Sequence, residues 1–253
     1  MSGIIVTFSF NNDYVSYGKL LCKSILESGS DVDVFARCVN IEDNNINYFR
    51  STYPSFVFYE DNITLNKDKK FLKNEIPKNE NLSPIYNKEL RKFVTKTKNV
   101  NVSKYSEESA YTCHSRFLNI VKLLNEKPKD TIILCIDVDT IFKRRVNENI
   151  VNDMVDKDLM VYKNVNGEFN EEGCFILKCN NKINSFFNNI NDIVQKDFLN
   201  WDIDGFALKK LLTNNKTIKI KQLDIKKYKD KKLTDKSLLW SGDSHVKNNL
   251  KFR

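Results

Sequence analysis

One segment constrains this chain more than any other: the run Thr131-Ile-Ile-Leu-Cys-Ile136, followed at once by Asp137-Val-Asp139. Consecutive apolar side chains fill both faces of an extended strand, so such a strand has to be covered on both sides. The common solution is a central strand of an open α/β sheet with helices packed over each face. Two aspartates do not share that interior. They mark the strand's C-terminal exit, where the backbone turns and both carboxylates reach one site, on the edge where open α/β sheets bind ligands.

The flanking sequence supplies the rest of such a sheet. Ile4 to Phe10 is an apolar, β-rich run closed by the turn cluster Asn11-Asn12-Asp13. From Tyr14 to Leu26 apolar residues recur at helical spacing, and Gly29 offers a stop. A second strand is expected at 32–39, a short helix at 44–53 ahead of Pro54, and a third strand at 56–59. Residues 61–103 are rich in Lys and Asn, carry Pro77 and Pro84, and show no sustained period, so they read as a surface excursion. A helix from Glu107 to Leu124 carries Phe117, Ile120, Val121 and Leu124 on one face, and Pro128 closes it off. Beyond the aspartates come a helix around 146–155, strands at 159–162 and 174–177, helices at 183–194 and 204–212, and a last strand at 218–222. Strands alternating with helices predict a single α/β domain over 1–253, a mostly parallel, twisted sheet with helices on both faces.

Composition narrows the class. With 41% hydrophobic and 29% charged residues the chain is globular rather than disordered, and 7 Gly and 4 Pro leave no long linker. No apolar run approaches the ~20 residues of a spanning helix. The N-terminus lacks the basic flank of a signal peptide, so a cytoplasmic protein without a transmembrane segment is expected. Cys22, Cys38, Cys113, Cys135, Cys174 and Cys179 form no CxxC pair and read as reduced core thiols. The 41 basic residues exceed the 33 acidic ones, and much of the excess lies in Lys216 to Lys236. Without interleaved aromatics, that stretch reads as solvated surface in preference to a face for DNA or an anionic membrane.

The chemistry points to the aspartates. Hard divalent cations take carboxylate oxygens, and Mg²⁺ or Mn²⁺ is commonly shared between one or two carboxylates and substrate phosphates. The Asp-x-Asp pattern alone is weak, since Asp31/Asp33, Asp156/Asp158 and Asp202/Asp204 repeat it. Only Asp137/Asp139 follows a deeply apolar strand. Arg116 suits an oxyanion because its fork is bidentate, with a surface ion pair as the alternative. Asp243, His245 and Lys247 form a compact polar cluster near the C-terminus, and a neutral imidazole suits Mn²⁺. Asp204 opens a helix, as an N-cap or as a catalytic carboxylate. Glu172 is a further carboxylate candidate, and Trp201 either walls a ligand pocket or packs in the core.

Taken in order, these segments resemble the nucleotide-diphospho-sugar transferases of the GT-A fold, and among them the family 8, glycogenin and bacterial galactosyltransferase-like, enzymes. Thr7-Phe8 and Tyr14 in the opening strand–turn–helix resemble the uridine-binding start. Tyr111-x4-Arg116-Phe117-x2-Ile120-x2-Leu123-Leu124 resembles the helix ahead of the metal motif, and Ile132 to Asp139, with Val138 between the acids, that motif itself. Glu171-Glu172-Gly173 stands in the place of an Asn-Ala-Gly segment, and Asp204-Gly-Phe-Ala-Leu208 in that of Asp-Gln-x-x-Leu. His245 and Lys247 resemble the histidine that completes the metal shell and the lysine that meets the diphosphate. The resemblance implies a Mn²⁺- or Mg²⁺-dependent glycosyltransferase moving a sugar from a nucleotide-sugar donor, UDP-sugar favoured, to a carbohydrate or other acceptor hydroxyl. Asp137, Asp139 and His245 would hold the metal, Thr7, Phe8, Tyr14, Arg116, Val138 and Lys247 the donor, and Asp204 and Glu172 the catalytic face. The sugar, the acceptor, the stereochemistry and the oligomeric state stay open.

Two rival readings remain. Asp137-Val-Asp-Thr140 also resembles the first motif of haloacid-dehalogenase-type phosphatases, with Asp137 as nucleophile. That motif normally ends the first strand of its fold, whereas three strand candidates precede Asp137. A nucleic-acid-binding module built on Lys216 to Lys236 is the non-enzymatic alternative.

Overall fold

The computed structural model describes residues 3–65, 70–72, 104–146, 148–163, 169–170, 173–230 and 237–241. The decisive run forms β6 (Ile132–Ile136), with all five side chains buried. Ile132, Leu134 and Ile136 join one apolar cluster, while Ile133 and Cys135 join another. The strand therefore serves two cores, one on each face of the sheet. β1 (Ile4–Asn11) divides in the same way: Val6, Phe8 and Phe10 point to the first core and Ile5 to the second.

The main sheet also takes in β2 (Asp33–Val39), β3 (Val57–Asp61), β8 (Leu159–Lys163), β10 (Cys174–Lys178) and β11 (Ile220–Gln222), in the order β11-β8-β10-β6-β1-β2-β3. β9 (Phe169–Asn170) hangs on β8. Along that order neighbours run parallel except β10, which lies antiparallel to both β6 and β8; β9 is likewise antiparallel to β8. From β1 the chain steps one way to β2 and β3, then returns to place β6 on the other side. The C-terminal crevice between β1 and β6 is thus a topological switch point, where open sheets take their ligands.

α1 (Val15–Glu27) and α2 (Asp43–Thr52) cover the first face; α1 buries Val15, Gly18, Leu21, Cys22 and Ile25, a stripe at helical spacing. Gly18 lets that helix approach closely, because a Cβ there would lie 3.0 Å from the Phe10 ring and 3.2 Å from that of Phe49.

The segment read as one helix over 107–124 is two, α3 (Glu107–His114) and α4 (Arg116–Glu126), broken at Ser115. Hydroxyls at the junction compete for the helix carbonyls: Thr112 Oγ1 donates to the Glu108 carbonyl at 2.7 Å and Ser115 Oγ to that of Thr112 at 2.8 Å. α4 packs over the second face with α6 (Asn181–Lys196) and α7 (Ile203–Asn214); α5 (Glu148–Asp153) precedes β8 and contributes Ile150 to the first core.

Within the stretch expected as a loose excursion, β4 (Lys70–Leu72) pairs antiparallel with β5 (Lys104–Ser106), and 66–69 and 73–103 lie outside the described residues. A small sheet of β7 (Ile141–Phe142), β12 (Lys229–Asp230) and β13 (Leu239–Trp240), with the short α8 (Ile225–Tyr228) before it, was not expected. Its strands are two residues long, too short to show a period. No described helix is long and apolar enough to cross a membrane.

Candidate active site

At the β1–β6 switch point lies a cavity of about 320 Å³. β1 and the turn after it contribute Ser9, Phe10, Asn11 and Tyr14; β6 and its exit contribute Ile136 to Asp139. Ser109, Thr112, Cys113 and Arg116 wall it from the α3–α4 junction, and Trp201 from the turn before α7. Both aspartates of the pair therefore face one cavity, and the buried Val138 lies between them.

Asp137 is set by its neighbours. Its backbone N–H donates to the Gly173 carbonyl at 3.0 Å, and its Oδ1 accepts from Arg116 Nη1 at 3.0 Å. Gly173 has φ +64, a left-handed conformation that favours glycine. A Cβ there would fall 1.7 Å from Asp137 Oδ2 and 2.9 Å from Lys229 Nζ. The carboxylate thus rests in a hollow that any side chain would fill, with the Lys229 ammonium beside the same point. Lys229 is only 7% exposed, although the sequence around it reads as a solvated basic stretch.

Arg116 joins three elements. Only 4% exposed, it bonds Asp137 through Nη1, pairs with Asp204 Oδ2 through Nη2, and keeps Nη2 3.7 Å from Cys113 Sγ. Asp204, buried in the first turn of α7, also accepts from the Gly205 N–H at 2.7 Å. It stands behind Arg116 rather than among the cavity-lining side chains, so in this arrangement it holds the arginine. Cys113, His114 and Asp204 bring ligand-type atoms within 4.8 Å of one another. The Arg116 guanidinium lies against two of those three residues, so that space already holds a cation.

His114 is fully buried, with Nδ1 2.8 Å from the Phe198 carbonyl and Nε2 3.3 Å from that of Trp201. Burial lowers its pKa, with the Asp204 charge pulling the other way. The ring pins the turn that carries Trp201, whose indole packs on Tyr105 with centroids 4.8 Å apart. Burial first, then the charge on Asp139, raise the Tyr14 pKa, so the phenol stays protonated beside the acids.

The expected uridine-binding pair Thr7 and Phe8 does not line this cavity: both side chains are fully buried, β1 continues to Asn11, and Ser9, Phe10 and Asn11 line it from that strand. Thr7 Oγ1 accepts from Asn119 Nδ2 at 3.2 Å beneath the site, and Phe8 belongs to the core. Glu172, His245 and Lys247 lie outside the described residues. Among the described residues of the basic stretch, Lys221 and Lys227 both pair with Asp153, and Lys229 lies beside Asp137. Lys229, Asn11 and Glu108 were not anticipated from the sequence, where each resembles its neighbours in type. All six cysteines are free, five of them buried, as expected of reduced thiols.

Asp137 and Asp139 offer the hard oxygen donors that Mn²⁺ or Mg²⁺ prefers, and the side-chain-free hollow at Gly173 leaves room beside Asp137; the donor set fits such an ion.

No protein-family model and no curated protein matches the chain. Solved structures do. An active-site mutant of LgtC is matched over 94% of this chain and 86% of its own, at 13% identity and a TM-score of 0.52. The glycosyltransferase GlyE of Streptococcus pneumoniae (13% identity, TM-score 0.51) and the bifunctional WbbM (11%, 0.51) are each matched over 89% of this chain. The chain spans less than half of those two, 46% and 39% of their lengths. At such identities the likeness speaks for architecture. The mostly parallel sheet that carries the Asp137–Asp139 cavity thus has the GT-A fold of these glycosyltransferases.

Proposed function

We propose that this chain is a metal-dependent glycosyltransferase that moves a sugar from a nucleoside-diphosphate donor, favoured as a UDP-sugar, to an acceptor hydroxyl. One observation carries the reading: Asp137 and Asp139 line a single cavity at the sheet's switch point, cornered by buried Arg116. Asp137 and Asp139 would hold Mn²⁺ or Mg²⁺, which when bound supplies positive charge to the diphosphate leaving group. The protein's own cations serve the same end. Arg116, held by Asp204, directs its guanidinium into the cavity, and Lys229 lies beside Asp137. Fixed charges of this kind act without reorganising as the leaving group develops its charge. Trp201 offers a flat wall for a sugar ring, and Asn11 and Tyr14 face the side where β1 ends. His245 and Lys247 complete the metal and diphosphate contacts in this reading, and Glu172 supplies a second carboxylate.

Turnover of UDP-sugars, measured as sugar release or transfer with Mn²⁺ and with chelator, tests this. Asp137→Ala and Asp139→Ala should each abolish metal-dependent turnover while the thermal unfolding profile stays cooperative. Near-normal turnover in either variant, or hydrolysis of a generic phosphate ester in place of nucleotide-sugar, would overturn the assignment.

A further inference from the structure

The small sheet ties Lys229 to the exit of β6. β7 begins just past the Asp137–Asp139 pair, β13 pairs antiparallel with it, and β12 pairs with β13, setting Lys229 opposite Leu239. The residues before Lys229 are anchored as well: the Lys227 carbonyl accepts from the Leu238 N–H at 2.9 Å, and the buried Tyr228 donates its hydroxyl to Asp153. Held in this way, the Lys229 side chain enters the hollow at Gly173. Its Nζ lies 2.9 Å from the point that is itself 1.7 Å from Asp137 Oδ2. Arg116 Nη1 meets the other oxygen of that carboxylate at 3.0 Å. Asp137 therefore lies between two cations that belong to the protein. A divalent ion entering there faces their repulsion at a carboxylate whose charge is already largely answered. A diphosphate reverses the balance, because its oxygens attract the ammonium, the guanidinium and the ion alike.

We infer that Lys229 is a resident counter-ion of Asp137 that opposes metal binding in the empty site and turns to the diphosphate when the nucleotide enters, so that metal and donor are taken up together. The inference rests on the nucleotide-sugar reading above and deepens it, by giving Lys229 a part that Arg116 does not share. Arg116 is a fixed partner: Asp204 holds its second nitrogen, and its planar fork keeps one direction. A lysine suits an exchange of partners, since its compact ammonium carries three donors on a flexible four-carbon stem. The consequence is selectivity. A nucleoside or free sugar brings no charge, so it neither draws Lys229 from Asp137 nor completes the metal site. Coupling between two ligands of this kind typically changes affinity ~5- to 150-fold.

The test reads binding, on the full chain as wild type, Lys229→Met and Lys229→Arg. Mn²⁺ binding without nucleotide is followed by the electron paramagnetic resonance signal of the free ion, and UDP and uridine are titrated calorimetrically in chelator. Lys229→Met should bind Mn²⁺ ~10-fold or more tighter than wild type, because a positive charge beside the ion is gone. Lys229→Arg, which keeps that charge, should stay within a few-fold of wild type. In chelator, wild type should bind UDP ~10-fold or more tighter than uridine, and Lys229→Met should lose most of that margin. One substitution thus strengthens one ligand and weakens the other, which mere loosening of the site would not produce. Mn²⁺ affinity unchanged or lowered in a folded Lys229→Met overturns the inference, and the nucleotide-sugar reading stands if wild type still takes Mn²⁺ with UDP. Equal tightening in Lys229→Arg overturns it too. Equal binding of UDP and uridine by wild type in chelator overturns it without any variant. Binding of neither UDP nor Mn²⁺, separately or together, overturns both.

Discussion

Replacing Gly173 by alanine isolates the geometry of the candidate metal site from its chemistry, since no charged group is removed. The new Cβ would lie 1.7 Å from Asp137 Oδ2, and the carboxylate must retreat by about 1.3 Å to reach the 3.0 Å that Cβ atoms keep from their neighbours. The backbone adds its own cost, because at φ +64 an L side chain loses ~1–2 kcal/mol. For a chain of this length that corresponds to a fall in Tm of ~2–8 °C. The functional loss should be far larger in proportion. A displacement of about 1 Å in a catalytic group costs ~100-fold in rate, here at an aspartate proposed to hold the metal. The assay pairs thermal unfolding with Mn²⁺-dependent UDP-sugar turnover. A Gly173→Ala protein with a modestly lowered Tm and turnover within a few-fold of wild type would refute the view that Asp137 must lie in that hollow.

Three further outcomes follow from the buried charges. Arg116→Met leaves Asp204 buried without its cation and should destabilise the fold by ~3–5 kcal/mol in urea unfolding, whereas adding Asp204→Leu should recover most of the loss; no recovery would mean that the pair is not the coupled unit described. The His114 pKa is lowered by burial, so the unfolded chain takes up a proton near the ordinary 6.5 before the folded one does. Its contribution is therefore fully present above that value and lost as pH falls below it, and the decline in Tm across pH 6.5 should flatten in His114→Gln. At Asp153, burial alone would raise the pKa, but hydrogen bonds from Lys227, Tyr228 and Lys221 outweigh it and bring the group from the ordinary 3.8 to about 2. That stabilisation is present above pH 3.8 and fades as pH falls through about 2, so Asp153→Asn should lower Tm at neutral pH and narrow its gap to wild type in acid.

The strand at 132–136 and the carboxylates at its exit were legible from the chain alone, as was the alternation of strands and helices around them. Burial on two faces leaves an unbroken apolar run, and a helix covering one face leaves a stripe; both are local periodicities that survive without knowledge of the partner. Thr7 and Phe8 show what local reading does not reach. An apolar run shows that a strand exists, but not that Asn11 extends it, and the cavity wall moves with its last residue. The break at Ser115 was hidden because hydroxyl groups bonding back to helix carbonyls leave the apolar stripe intact.

What tertiary structure alone decided is which distant residues meet. Lys229 has the same side chain as Lys226 and Lys227, and only the pairing of β12 with β13 sets it against Asp137 while Lys227 reaches Asp153. Arg116 and Asp204 stand 88 positions apart, Asn11 and Glu108 97, and neither pairing leaves a trace in local pattern. Local periodicity determined the layers of this protein and the acids at the sheet's edge. The cations and amides that complete the cavity were set by the order of strands and the seating of helices, because a side chain's chemistry depends on neighbours that the chain brings together only when it folds.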